Sequence, residues 1–146
     1  MPGTVVVDVS LAVKWAIVEP LRAEARALLI AWEREQVARL VPSLFLSELN
    51  TPLLRLRRQG MITLEDAQQA KAAVLAAVQV VPDSLDLTAR ALTIADGLGL
   101  RAAYDSLYAG LAESRGCQFW TADESFWNAA RARFQFVHWL GESGRR

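Results

Sequence analysis

The chain has 146 residues, a length that fits one domain with a full hydrophobic core. Apolar side chains make up 53% of the chain, which argues against disorder, and 16 basic residues balance 16 acidic ones, which argues against a strongly basic nucleic-acid-binding surface. The one cysteine, Cys117, excludes an internal disulfide and a cysteine-rich zinc site. With no visible signal peptide and no apolar run long enough for a membrane span, we expect a cytoplasmic protein.

Hydrophobic periodicity predicts that strands and helices alternate in the first half of the chain. Thr4–Val7 is predicted as a short buried strand, and Ser10 as the N-cap of the helix that follows. Pro20, Pro42 and Thr63 lie where later helices are predicted to begin. The predicted helices are 10–18, 21–36, 42–58 and 63–78, and the further strands are 39–41 and 78–81.

The second half of the chain continues the alternation. Its predicted helices are 86–97, 105–116 and 122–133, and its strands are 117–121 and 135–140. Inside one helix, Ala109 and Gly110 indicate close packing on a neighbouring element. Strands separated by helices predict an α/β fold with a central parallel sheet of about five strands, covered on both faces. We expect a single domain over residues 1–141 and a short polar tail over residues 142–146.

Two aspartates follow predicted strands without an obvious structural role. Asp8 ends the first strand, and Ser10 already occupies the predicted cap position of the next helix. Asp123 follows the fourth strand, where Thr121 and Glu124 have the spacing of a capping box and leave Asp123 unassigned. The structural alternatives are a helix cap for Asp8 and a contact with the helix dipole for Asp123.

Two further acids lie at the edges of predicted helices. Asp105 begins a helix, where an aspartate taken alone is most often a cap. Glu48 falls at the border of the polar face of helix 42–58. Because Pro52 has no N–H, the carbonyl of Glu48 loses its helical hydrogen bond, and we expect a kink or a bound group there.

The four acids are more informative together than singly. In open parallel sheets, sites lie beyond the carboxyl ends of the strands, and at least three of these acids are expected at that edge. Clustered carboxylates repel each other and shift each other's pKa values unless a cation neutralises them. Carboxylate and water ligands suit Mg²⁺ or Mn²⁺, so we interpret Asp8 as a metal ligand.

Four motifs in chain order resemble the PIN-domain family, and especially its VapC-type branch of bacterial toxin ribonucleases: "VVVDVSLAVKW", "PSLFLSELN", "AYDSLYAGLAE" and "TADESFW". The resemblance covers about residues 5–140. It implies a three-layer α/β/α fold and a metal-dependent endoribonuclease that acts as the toxin of a toxin–antitoxin pair. It also implies an antitoxin partner, a homodimer and one or two Mg²⁺ or Mn²⁺ ions. By motif position it assigns the acid roles to Asp8, Glu48, Asp105 and Asp123. It assigns supporting polar roles near the site to Ser10 and Thr121.

Other functions are less well supported by the residues. A catalytically silent binding module of the same fold would act through the apolar helices around 44–56 and 64–78, with Trp15 and Trp32 as anchors. It would tolerate Asp8→Asn, whereas a nuclease would not. The chain has one histidine, a number that excludes histidine-pair ribonuclease chemistry. This residue, His138, lies in an apolar context and is interpreted as structural. A phosphatase would need a second acid where Ser10 stands.

The segment "GLGLRA", residues 97–102, imitates a dinucleotide-binding fingerprint. Because a helix precedes it, where the fingerprint needs a strand, we interpret it as a helix end and a loop. The sequence leaves open which RNA is cut and whether one metal ion or two are bound.

Overall fold

The computed structural model describes residues 3–100 and 103–143. Within them, five parallel strands form one sheet in the order β3-β2-β1-β4-β5, and helices flank the sheet in a three-layer α/β/α arrangement. The predicted α/β fold and its central parallel sheet are therefore confirmed. Within the described ranges, no helix is long and apolar enough to cross a membrane.

The elements follow the predicted alternation. The strands are β1 Thr4–Val7, β2 Ala38–Pro42, β3 Gln79–Val81, β4 Gln118–Thr121 and β5 Val137–Trp139. The helices are α1 Val9–Ala12, which continues as a 3₁₀ turn over Val13–Trp15, α2 Arg22–Arg34, α3 Leu44–Glu48, α4 Asn50–Arg58, α5 Leu64–Ala76, α6 Leu85–Leu98, α7 Tyr104–Arg115, α8 Glu124–Ala130 and α9 Leu140–Ser143.

Helix α7 covers the middle of the sheet and carries much of the core. It packs against β1, β2 and β4, and its Tyr108 ring stacks on Phe119 of β4 with centroids 5.8 Å apart. Ala109 and Gly110 are both buried, and a Cβ at Gly110 would lie 3.5 Å from the backbone N of Ala91 in α6. Gly110 therefore lies against a neighbouring helix, as predicted, at an ordinary van der Waals distance.

The helix predicted over 42–58 is divided at Leu49 into α3 and α4. Pro52 then falls in the first turn of α4, where its missing N–H costs no intrahelical bond. The break lies directly after Glu48, as expected from the hydrogen bond that Pro52 cannot donate. The prediction that Pro42 opens this helix is wrong. Pro42 ends β2 and pairs only with Val81, beyond the last residue of β2 that pairs with β1.

The other corrections concern element ends. The first helix is only a short turn, and α8 is shorter than the predicted 122–133. The last strand covers Val137–Trp139, and the chain from Leu140 to Ser143 forms α9. This short helix packs against α2, which explains why an apolar residue at position 140 belongs to the core. Residues 144–146 of the predicted tail and residues 101–102 of the Gly-rich segment lie outside the described residues.

Aromatic residues that the sequence left ambiguous belong to the core. Trp15 and Trp32 are 7% and 8% exposed, which confirms the favoured interpretation of both as ordinary core residues and contradicts the alternative that they anchor a partner. His138 of β5 stacks on Trp120 of β4, with ring centroids 5.0 Å apart. Gly99 adopts a left-handed conformation and caps α6, as the helix-end interpretation of the Gly-rich segment predicts.

Candidate active site

The candidate site lies where the order of the sheet reverses. After β1 the chain adds β2 and β3 on one side of β1, and it later adds β4 and β5 on the other. Val7 of β1 lies beside Trp120 of β4, so the carboxyl ends of these two strands are neighbours. Open α/β sheets bind ligands in the crevice at this switch point. Asp8 and Thr121 stand at its two sides.

Asp8 is the buried centre of a hydrogen-bonded cluster. Its Oδ1 accepts from the Ser10 hydroxyl at 2.7 Å and from the Leu11 N–H at 3.2 Å, and its Oδ2 accepts from the Thr121 hydroxyl at 2.5 Å. Asp8 is therefore the N-cap of α1, and the prediction that Ser10 fills this role is wrong. The Ser10 hydroxyl accepts from the Ala122 N–H at 3.0 Å and so connects β1 to the end of β4.

Asp123 has a similar capping role after β4. It is the N-cap of α8 and accepts from the Phe126 N–H at 3.1 Å, so the predicted capping box of Thr121 and Glu124 is wrong. The Thr121 hydroxyl instead accepts from the Asp123 N–H at 3.0 Å while it donates to Asp8. One buried threonine thus holds both aspartates of the switch point.

Asp105 and Glu48 approach from the helices. Asp105 lies inside the first turn of α7, and the N-cap of this helix is Ala103. The expectation that Asp105, taken alone, is a helix cap is therefore wrong. Glu48 ends α3, and its Oε1 accepts from the Tyr108 hydroxyl at 2.6 Å. Sequence reasoning missed Tyr108. The available signal was its position three residues after Asp105, on the same side of a helix.

The pKa values show that the acids influence one another. Burial raises the pKa of Asp8 to about 7, against the lowering effect of its hydrogen bonds, and nearby Asp105 raises it further. Burial also raises the pKa of Asp105, followed by the charges of Asp123 and Glu48. Asp105 is thus electrostatically linked to the other three acids. The structure brings all four into one neighbourhood, with Asp8 buried and the others half-buried.

The donor set has the chemistry of a site for a hard divalent cation. Carboxylate oxygens are the preferred protein ligands of Mg²⁺ and Mn²⁺. Such an ion would offset both the burial and the smaller charge repulsion that raise the pKa values of Asp8 and Asp105. The side chains are not, however, arranged as a finished set of metal ligands. Among residues 3–100 and 103–143, no group of three or more His, Cys, Asp or Glu side chains is arranged so that it could hold a metal ion.

The Thr121 hydroxyl should contribute measurably to stability. Thr121→Val keeps the shape and removes the hydroxyl, which leaves Asp8 Oδ2 without its donor and the Asp123 N–H without its acceptor. We expect the free energy of unfolding to fall by about 1–3 kcal/mol in urea denaturation at pH 7. Thr121→Ser keeps the hydroxyl and measures the loss of the methyl group alone. A valine variant as stable as the wild type would contradict this role.

Comparison with known proteins agrees with the fold. The PIN domain family model matches residues 5–132, a span that contains all four acids, and the chain therefore belongs to the PIN domain family. A comparison with curated proteins gives no match.

Three of the solved structures with a similar fold come from different organisms. PAE2754 from Pyrobaculum aerophilum has a TM-score of 0.67 and 22% identity, over 99% of this chain and 91% of that one. A toxin–antitoxin complex from Klebsiella pneumoniae has a TM-score of 0.62 and 14% identity, over 93% and 97% of the two chains. Mycobacterium tuberculosis VapC20, a sarcin–ricin loop cleaving toxin, has a TM-score of 0.58 and 18% identity, over 86% and 95%.

Proposed function

We propose that this PIN-domain protein is a metal-dependent endoribonuclease and the toxin of a toxin–antitoxin pair. The observation that carries the proposal is the pair of strand-end aspartates at the switch point of the sheet: the Thr121 hydroxyl donates to Asp8 and accepts from the Asp123 N–H. The nearby Asp105 adds to it, since its charge raises the pKa of Asp8 after the larger effect of burial. Fold relatives described as a sarcin–ricin loop cleaving toxin and as a toxin–antitoxin complex support it. We place its action in the cytoplasm, where its RNA substrate and partner would be found.

The four acids would hold Mg²⁺ or Mn²⁺. When bound, the ion supplies Lewis-acid chemistry: it activates water and stabilises charge on the phosphoryl group. Asp8 serves as the fixed anchor because Ser10 and Thr121 hold both of its oxygens. Asp105 and Asp123 are half-buried at the same edge and remain open to solvent.

A groove between α4 and α5 is our candidate for the antitoxin. Leu54 and Leu64 on its walls are 51% and 61% exposed, and Arg57 and Lys71 add positive charge. An amphipathic segment with acidic residues matches this combination of apolar and basic side chains. The groove is lined by Asn50, Leu53, Leu54, Arg57, Leu64, Ala67, Gln68 and Lys71. We also propose a homodimer, on the basis of the family resemblance alone.

A second candidate function is a catalytically silent binding module that acts through this groove. It is favoured by one observation: within the described ranges, no three of the acids are arranged to hold a metal ion. Under this alternative, Asp8→Asn would leave partner binding and all cellular effects of the protein unchanged.

An assay on partner-free protein tests the proposal. Labelled ribosomal, transfer and messenger RNA are incubated with the protein in Mg²⁺, in Mn²⁺ and in EDTA. We expect defined cleavage products with either ion and none in EDTA. Asp123→Asn should abolish these products, whereas Asp83→Asn, an exposed acid in the loop after β3, should not. Identical background from all three proteins, with folding verified by circular dichroism, would contradict the nuclease proposal and favour the binding module.

A further inference from the structure

We propose that Tyr108 is a positioning residue that holds Glu48 in the orientation needed for ion binding. The inference rests on the proposed function and adds a residue that the family resemblance did not assign. Its hydroxyl donates to Glu48 Oε1 at 2.6 Å, across 60 positions of sequence, and links α7 to the end of α3.

Tyr108 is itself rigidly held. It is 1% exposed, and its ring stacks on Phe119 with an interplanar angle of 14°. A buried tyrosine needs a hydrogen-bond partner for its hydroxyl, and here the partner is the carboxylate of Glu48. The core therefore fixes the donor, and the donor fixes the carboxylate.

Glu48 needs such support because its own helix provides little. It is the last residue of the five-residue α3, directly before the break at Leu49. Pro52 cannot donate to its carbonyl, and its half-buried side chain has three rotatable bonds. Without the tyrosine, ion binding itself would have to order this side chain, and the lost conformational entropy would weaken the binding.

The position of Tyr108 places the held carboxylate among the other acids. Tyr108 and Asp105 lie three residues apart, one turn of α7, so that one rigid helix carries an acid and the hydroxyl that orients a second acid. The Glu48 carboxylate oxygen can only accept, so the Tyr108 hydroxyl is the donor in this contact.

Tyr108→Phe tests the inference because it removes one oxygen and keeps the ring. Mn²⁺ affinity is measured by calorimetry, and kcat and KM are measured with RNA. We expect Mn²⁺ affinity and kcat to fall about 10–100-fold, with KM for RNA little changed, since partners of metal ligands typically contribute this much. Tyr104→Phe is the matched control: Tyr104 begins the same helix and is 62% exposed. It should behave as wild type.

A double-mutant cycle with Glu48→Gln separates positioning from general stability. Once Glu48 has lost its charge, Tyr108→Phe should weaken Mn²⁺ binding no further. If the wild type binds Mn²⁺ and Tyr108→Phe binds it with the same affinity, the role of Tyr108 is overturned and the nuclease proposal stands. Failure of the wild type to bind Mn²⁺ and to cut RNA would overturn both. An equal loss of affinity in the presence and absence of Glu48 would show that Tyr108 acts only through stability.

Discussion

Asp105→Asn is expected to reduce RNA cleavage by about 10²–10³-fold, the loss typical when one electrostatic group is removed from a transition-state site. Asp105 is the acid whose charge is linked to Asp8, Asp123 and Glu48 together. Asparagine has almost the same shape, so the helix and its packing should be retained. What is lost is the negative charge that would hold a divalent ion at the centre of the group.

Two measurements distinguish this loss from misfolding. Calorimetry should show weaker Mn²⁺ binding in Asp105→Asn, and urea denaturation in EDTA should show a stability equal to or above that of the wild type. The stability should not fall because burial and neighbouring charges raise the pKa of Asp105 and disfavour its ionised form. Asp83→Asn, an exposed acid outside the site, controls for a change in net charge. Full cleavage by Asp105→Asn would contradict the four-acid site.

The metal-free protein is expected to become less stable as the pH rises from about 4 to about 7. The pKa of Asp8 lies at about 7 in the folded chain and at 3.8 when unperturbed, because burial disfavours its charged form. Between these values the folded chain binds a proton that the unfolded chain has released, so the free energy of unfolding decreases with rising pH. The difference corresponds to about 4 kcal/mol, at about 1.36 kcal/mol for each pKa unit.

Asp8→Asn isolates this contribution from that of Asp105, which has the same sign. Urea denaturation of both proteins in EDTA, at pH 5, 6, 7 and 8, should show a steeper decline in the wild type, and the variant should be the more stable protein at pH 8. Added Mn²⁺ should restore stability to the wild type alone. Parallel curves for the two proteins would contradict the burial cost assigned to Asp8. Asp83→Asn should follow the wild type at every pH.

These two predictions express one trade-off. A carboxylate buried at a strand end lowers the stability of the metal-free fold, and a site that needs concentrated negative charge accepts that cost. The hydrogen bonds from Ser10, Thr121 and the Leu11 N–H recover part of it and fix the orientation of the anchor.

The sequence by itself determined which segments are strands and helices and which acids follow them. A short, continuous apolar run predicts Thr4–Val7 as a buried strand, and the alternation of strands with helices predicts a parallel sheet. These features are readable because they depend on neighbouring residues. Asp8 and Asp123 are noticeable in the sequence for the same reason: Asp8 directly follows β1, and Asp123 lies two residues after the end of β4.

The caps and the partners were decided by contacts that no local pattern contains. Ser10 looks like an N-cap, but its hydroxyl is used by Asp8 and by the Ala122 N–H, 112 positions away. Thr121 looks like half of a capping box, but its hydroxyl donates to Asp8 across 113 positions. In each case a long-range hydrogen bond engages a hydroxyl that the local sequence pattern assigns to a helix cap.

Only the tertiary structure placed the four acids together. The strand order β3-β2-β1-β4-β5 sets the ends of β1 and β4 side by side, and many strand orders are compatible with the same alternation of elements. Packing of α7 across the sheet then brings Asp105 to that edge and turns Tyr108 toward Glu48. The sequence specified the acids through local patterns, whereas sheet order and helix packing created their shared electrostatic environment.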